Sequence, residues 1–234
     1  YEGMPILNVT NDLDHDFKKL EKGESRDIPE DLRESVSWFI CAVAALRFHG
    51  FKGPLSMMVN TSSNVDPHKN VAKAITEFIN QGYEEIRDYL RVIYDNQCRK
   101  FPKSRLRECY PNYYGTVEEY EEHDAEILNY PAFDEIEPYI IEILSIPAGH
   151  IKKVDKEYHY NKGIHICIEN GTRDTVEDEP GAYSRLKYPE KDSDAPDAPA
   201  FLVVGGNVLS RGLTLEGLVS SFFIRNTKQA DSLM

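Results

Sequence analysis

The sequence predicts an α/β fold, a mostly parallel sheet with helices on both faces. Three observations carry that expectation. Mainly apolar runs at residues 55–59, 201–204 and 218–224 have the length of strands buried on both sides. They alternate with segments of helical periodicity, as the layers of an α/β sandwich require. The 13 residues 205–217 between the last two runs are about the minimum for a parallel crossover.

Residues 1–28 are polar, with Met4, Pro5, Ile6 and Leu7 as their apolar cluster, and read as an arm or linker leading into a single domain, 29–234. A helix begins at Pro29, with Glu30 and Asp31 facing the positive end of its dipole. It carries Val36, Phe39, Ile40, Val43 and Leu46 at helical spacing and ends at Gly50. The strand at 55–59 follows, then a polar loop, Asn60 to Asn64. Asp66 can cap the next helix, Pro67 opens it, and Val71, Ala74, Ile75, Phe78 and Ile79 form its buried stripe.

Residues 83–98 continue helically through Ile86, Leu90 and Ile93, and 134–144 through Ile136, Ile140, Ile143 and Leu144. Between them lie a basic, Tyr- and Pro-rich connection at 99–116 and an acidic span from Glu118 to Glu126, which reads as a solvated face. The stretch from about 80 to 150 is therefore a mainly helical insertion into a smaller α/β core. Residues 164–168 form a strand carrying His165 and Cys167, and Asn170-Gly171 marks a turn. The span 172–200, with Pro180, Pro189, Pro196 and Pro199, reads as a long surface loop.

A chain of 234 residues can bury a sizeable core. Lys and Arg number 27 against 40 Asp and Glu, a net charge of -13, so no global basic field attracts nucleic acid and any such contact must be local. Cys41, Cys98, Cys109 and Cys167 form no CxxC pair and follow no leader segment, which points to free thiols in a reducing, cytoplasmic setting. No apolar run approaches the roughly 20 residues of a membrane-spanning helix. The chain starts at Tyr1 and stops at Met234 within an expected helix, so it reads as an excised domain.

The familiar catalytic signatures are absent. Neither GxxxxGK[ST] nor GxGxxG occurs, so the chain holds no self-contained phosphate cradle, and HExxH and GxSxG are missing too. His159 and His165 read as structural or surface histidines. Asp155, Glu157 and Lys162 are a loose match to a nuclease cluster and no more.

What remains is the loop after residue 204. Ligands of open α/β sheets bind beyond the carboxyl ends of the strands, where Gly205, Gly206 and Asn207 begin. Glycines at 205, 206 and 212 let a main chain approach a ligand closely, Ser210 and Thr214 offer hydroxyls, and Arg211 offers a planar fork for phosphate or carboxylate. Each has a structural alternative: the glycines can shape a turn, Arg211 can pair with Glu216, and Asn60, Thr61 and Ser62 can cap the next helix. His68 and Lys69 in the first turn of that helix could also reach a phosphate.

Gly205, Gly206, Asn207, Leu209, Ser210, Arg211, Gly212, Leu213, Thr214, Leu215, Glu216, Gly217 and Leu218, followed by Phe222, Phe223, Arg225, Asp231 and Leu233, resemble the signature of the Z1 domain family. That family occurs in bacterial proteins labelled endonucleases and is similar to the second RecA-like lobe of superfamily II helicases. The Ser210-Arg211-Gly212 core is similar to helicase motif V. Met58 to Ser62 stand where motif IV closes its strand, and residues 29–47 are similar to the helix that opens the family's domain. The chain departs from the family in two places. A His often found at the end of the motif IV strand is Asn60, and the Gln- and Gly-Arg-bearing helix expected after Met234 is missing, so the domain reads as truncated there.

The resemblance implies a RecA-like sheet forming the carboxyl-proximal lobe of a helicase-like, DNA-dependent ATPase in bacterial DNA modification, repair or restriction and defence. It implies DNA and an amino-terminal RecA-like lobe as partners, with modification or nuclease proteins as possible associates and no membrane. ATP with magnesium would bind in the parent protein, between the lobes, and none tightly to this chain alone. Gly205, Gly206, Asn207, Ser210, Arg211, Gly212 and Thr214, with Asn60, Thr61 and Ser62, would form one wall of that cleft, and no residue here would be catalytic. The alternatives are a non-catalytic DNA-docking or protein-interaction module and, less well supported, an endonuclease.

Overall fold

The computed structural model describes residues 14–61, 65–105, 128–155, 157–169, 184–190, 193–206, 209 and 214–223. Helices α1 (Asp14–Glu21) and α2 (Glu30–Phe48) precede strand β1 (Leu55–Asn60), and α3 (Val65–Ile79), α4 (Tyr83–Lys100) and α5 (Phe133–Leu144) follow it. A hairpin of β2 (Lys152–Val154) and β3 (Glu157–His159) leads to β4 (Ile164–Glu169), β5 (Ala200–Gly205) and β6 (Leu218–Phe223).

The main sheet has the order β4-β5-β1-β6, and every pairing in it is parallel. The α/β expectation holds. The connection from β5 to β6 passes across β1, as a crossover of that length permits. Gly217 ends it at φ +55, and a Cβ there would stand 1.8 Å from the Pro54 carbonyl oxygen, so a glycine is required for β6 to close on the start of β1. Ser56 N then donates to Gly217 O at 2.8 Å.

Strand side chains alternate between two faces. Leu55, Met57 and Val59 of β1, Ala200, Leu202 and Val204 of β5, and Ile164, Ile166 and Ile168 of β4 join one core with residues from all five helices. Helix α3 packs on β4 and β5 and α2 on β6, while α4 and α5 stack on α2. On the opposite face, Met58, Phe201, Val203 and Cys167 meet Tyr158 and Tyr160 from the hairpin side and Leu186 and Tyr188 from the 184–190 segment. Among the described residues the second face is thus covered by hairpin and loop, where the sequence suggested helices. Burial on both faces predicts that a cover exists; it says nothing of its secondary structure.

Three further differences have physical causes. The leading arm contains α1, whose Phe17 and Leu20 are buried and whose Phe17 ring stacks 6.0 Å from Phe222. The span 172–200 is more than surface loop, since Tyr188 OH lies 2.8 Å from Ser56 Oγ and its ring packs edge-on to Phe201. Strand β6, expected in the middle of a sheet, lies at its end among the described residues, with Leu218 and Phe223 exposed. Its run contains Ser220 and Ser221, which suit a strand open on one side.

Candidate functional site

The parallel register lines up the carboxyl ends of three strands. Asn60 of β1 pairs with Gly205 of β5, and Gly205 pairs in turn with Glu169 of β4. By alternation all three belong to the face covered by hairpin and loop. Thr61 N donates to Gly205 O at 2.8 Å, which carries the β1–β5 ladder one residue further, and Leu209 N donates to Gly206 O at 3.0 Å, which turns the chain back over the row.

Gly205 has no side chain because the protein needs the room. A Cβ there would meet the Glu169 carbonyl oxygen at 2.5 Å and the Leu209 side chain at 2.9 Å. The close approach expected of this glycine is therefore made by the neighbouring strand and by Leu209. Gly206, next along, is the first backbone position of the turn itself.

Asn60 and Thr61 stand out by their burial and by what they lack. Asn60 is 5% exposed and Thr61 fully buried, and neither Asn60 Oδ1 nor Thr61 Oγ1 has a hydrogen-bond partner among the described residues. Leaving a buried polar atom unsatisfied costs about 1–3 kcal/mol, so two in succession at a strand end mark a place where hydrogen bonds are expected. His68, in the first turn of α3, is buried beside them in sequence, while Lys69 is exposed. The first turn of a helix presents backbone N–H groups that favour anions.

Glu169 completes the row and was not singled out by its sequence. It is 3% exposed, accepts from Leu186 N at 2.7 Å, and pairs with Arg185, whose Nη2 is 3.1 Å away. The available signal was an acid placed directly after an apolar strand and before Asn170-Gly171. Its carboxylate fastens the 184–190 segment over the sheet, because an ionised group this buried needs both an opposite charge and a hydrogen-bond donor.

Thr214 is exposed and lies three residues before Gly217, at the end of the crossover nearest the amino end of β1, so it is no member of the terminal row. Ser62, Asn207, Ser210, Arg211 and Gly212 lie outside the described residues, as does Arg211's alternative pairing with Glu216. The loose nuclease match does not assemble. Asp155 is an exposed turn residue with φ 51, Glu157 is exposed on β3, and Lys162 pairs with Glu142 at 2.6 Å. Among the described residues no group of three His, Cys, Asp or Glu side chains could hold a metal ion, and no helix is long and apolar enough to cross a membrane.

Compared with known proteins, the chain matches the sequence model described as the Z1 domain over residues 31–234. No curated protein and no solved structure matches it.

Proposed function

Since the chain belongs to the Z1 domain family, we propose that it forms one lobe of a helicase-like, DNA-dependent ATPase acting in bacterial DNA modification, repair or defence. The observation that carries this reading is the pair of buried polar atoms, Asn60 Oδ1 and Thr61 Oγ1, at the carboxyl edge of a parallel sheet, which have no hydrogen-bond partner among the described residues. A ligand at that edge would satisfy them once it displaces what covers them, and this is where open α/β sheets place their ligands.

The residues suit one wall of a shared site. Asn60 and Thr61 would bond nucleotide or nucleic-acid oxygens and hydroxyls, and Arg211 would reach phosphate through its planar fork. When bound, ATP with magnesium supplies the phosphoanhydride whose cleavage drives the cycle. The carboxylates for the metal and the phosphate loop would come from an amino-terminal lobe, and closure of that lobe would exclude water from the cleft.

The test is DNA-stimulated ATP turnover by the complete parent protein. Arg211→Ala is expected to lower it by about ten- to a hundredfold, the scale of lost hydrogen bonds to a charged phosphate, and Thr61→Val by about tenfold, the scale of one lost hydrogen bond. Unchanged turnover in Arg211→Ala would favour a non-catalytic docking module, and the net charge of -13 makes a protein partner a better fit to such a module than DNA. ATP turnover by this chain alone would sink the half-site interpretation.

A further inference from the structure

At the other end of the sheet lies a feature that the proposed cleft does not use. Arg47, in the last turn of α2, is 9% exposed. Its Nε and Nη2 donate to Ala198 O at 3.2 and 2.9 Å, and its Nη1 donates to Lys162 O at 2.8 Å. Ala198 lies just before β5 and Lys162 just before β4, so the guanidinium sits beneath the amino ends of the strands. Ala198 is held there with φ 49, a conformation that costs an L-residue about 1 kcal/mol or more.

The charge of Arg47 is incompletely answered. Among the described residues no carboxylate lies within ion-pair distance of it, and carbonyl dipoles alone receive its hydrogen bonds. Burial pushes its pKa below the ordinary arginine value, and the nearby charge of Glu142 offsets part of that fall. The two acids at hand are already engaged, Glu142 with Lys162 at 2.6 Å and Asp197 with Lys52 at 4.0 Å. A buried cation of this kind ordinarily has a counter-charge.

Arg47 also borders a cavity of about 220 Å³, whose wall includes all four of those groups together with the rings of Phe51 and Tyr139. After its three bonds to carbonyls the guanidinium still has one N–H on each Nη. Those two remaining N–H groups can donate to the oxygens of a carboxylate. The lining carries three cations against two carboxylates, which favours a ligand of single negative charge over a phosphate dianion. Phe51, 42% exposed, and Tyr139 offer apolar area to the rest of the ligand.

We propose that this cavity, beneath the amino ends of β4 and β5, binds a small organic carboxylate with an apolar body, its carboxylate held by Arg47 and its body against Phe51 and Tyr139. The probe is benzoate, added to the 234-residue chain and followed by titration of amide resonances. Saturable shifts are expected around Arg47, Phe51 and Lys162. Arg47→Lys should weaken binding by about tenfold, as expected for loss of a charge-assisted hydrogen bond. Arg47 also ties two loops, so two exposed variants give an independent reading. Phe51→Ser should weaken benzoate several-fold and leave acetate unchanged, and Lys162→Gln, which frees the charge of Glu142, should weaken both. Non-saturable shifts would overturn the proposal, as would benzoate affinity unchanged in Phe51→Ser and Lys162→Gln. Inorganic phosphate binding as tightly as benzoate would overturn the choice of a singly charged carboxylate.

Discussion

His165 shows how far a single residue can be read. Its place in an apolar strand pointed to a structural role, and the ring is 1% exposed, tilted against Phe201 at 5.4 Å and edge-on to Tyr160. Burial, with some help from the charge of Arg47, pushes its pKa from 6.5 down to about 4. Its Nε2 accepts Asn161 N–H at 3.2 Å, a bond that the protonated ring cannot accept. Between those two pH values the unfolded chain binds a proton that the folded chain refuses. The stabilising effect is therefore complete above about pH 6.5 and is lost as pH falls toward 4, on the order of 3 kcal/mol in all. Urea midpoints measured from pH 7 to pH 4 should fall accordingly, and His165→Phe should flatten that part of the profile. Asn60 and Thr61 were legible as a polar strand end, but their lack of partners among the described residues was not, because it depends on what the fold brings near them. Glu169 escaped notice for the same reason: a buried acid becomes conspicuous only once Arg185, distant from the strand in the chain, is seen to close on it.

At the scale of elements, helices and strands followed their periodicity closely. The stripe from Val36 to Leu46 gives α2, and the run from Ile136 to Leu144 gives α5. What periodicity could not supply was neighbourhood. The hairpin of β2 and β3, three residues a side and mostly exposed, has too little alternation to signal itself. Helix α1 is short and polar, and its two core residues acquire meaning only against Phe222 and α3. Helix ends offer a direct test. At the start of α5, Glu135 Oε2 accepts Ala132 N–H at 2.7 Å, but the N-cap position itself is Ala132, which has no side-chain acceptor for the first-turn N–H groups. Ala132→Asp supplies one, and a carboxylate also suits the helix dipole. Chemical denaturation should show a gain of about 0.5–1 kcal/mol, and no gain would mean that those groups already have partners.

Over the whole molecule, two thiols report on the two sides of the sheet. Cys41 lies in the helical core and Cys167 in the layer under hairpin and loop, and burial pushes the pKa of both above the ordinary thiol value. Cys98 is half-buried, with its pKa pushed up to about 11. If both layers open together, a thiol reagent should label Cys41 and Cys167 at one common, slow rate and Cys98 sooner. Peptide mapping over a labelling time course would read this, and early labelling of Cys167 would show the second face opening by itself. The α/β architecture was legible because buried parallel strands have a distinctive composition; the arrangement of the layers was not, because the order β4-β5-β1-β6 is set by contacts between remote segments. That order also bears on how the chain is made. Leu55 pairs with Ala200, and Ser56 with Leu218. During synthesis β1 leaves the ribosome long before either partner exists, while α2 to α5 can already pack beside it. The nascent chain thus carries the apolar strand Leu55–Asn60 unpaired until Ala200 has been made, and shielding that strand from other chains falls to early helix packing and to chaperones.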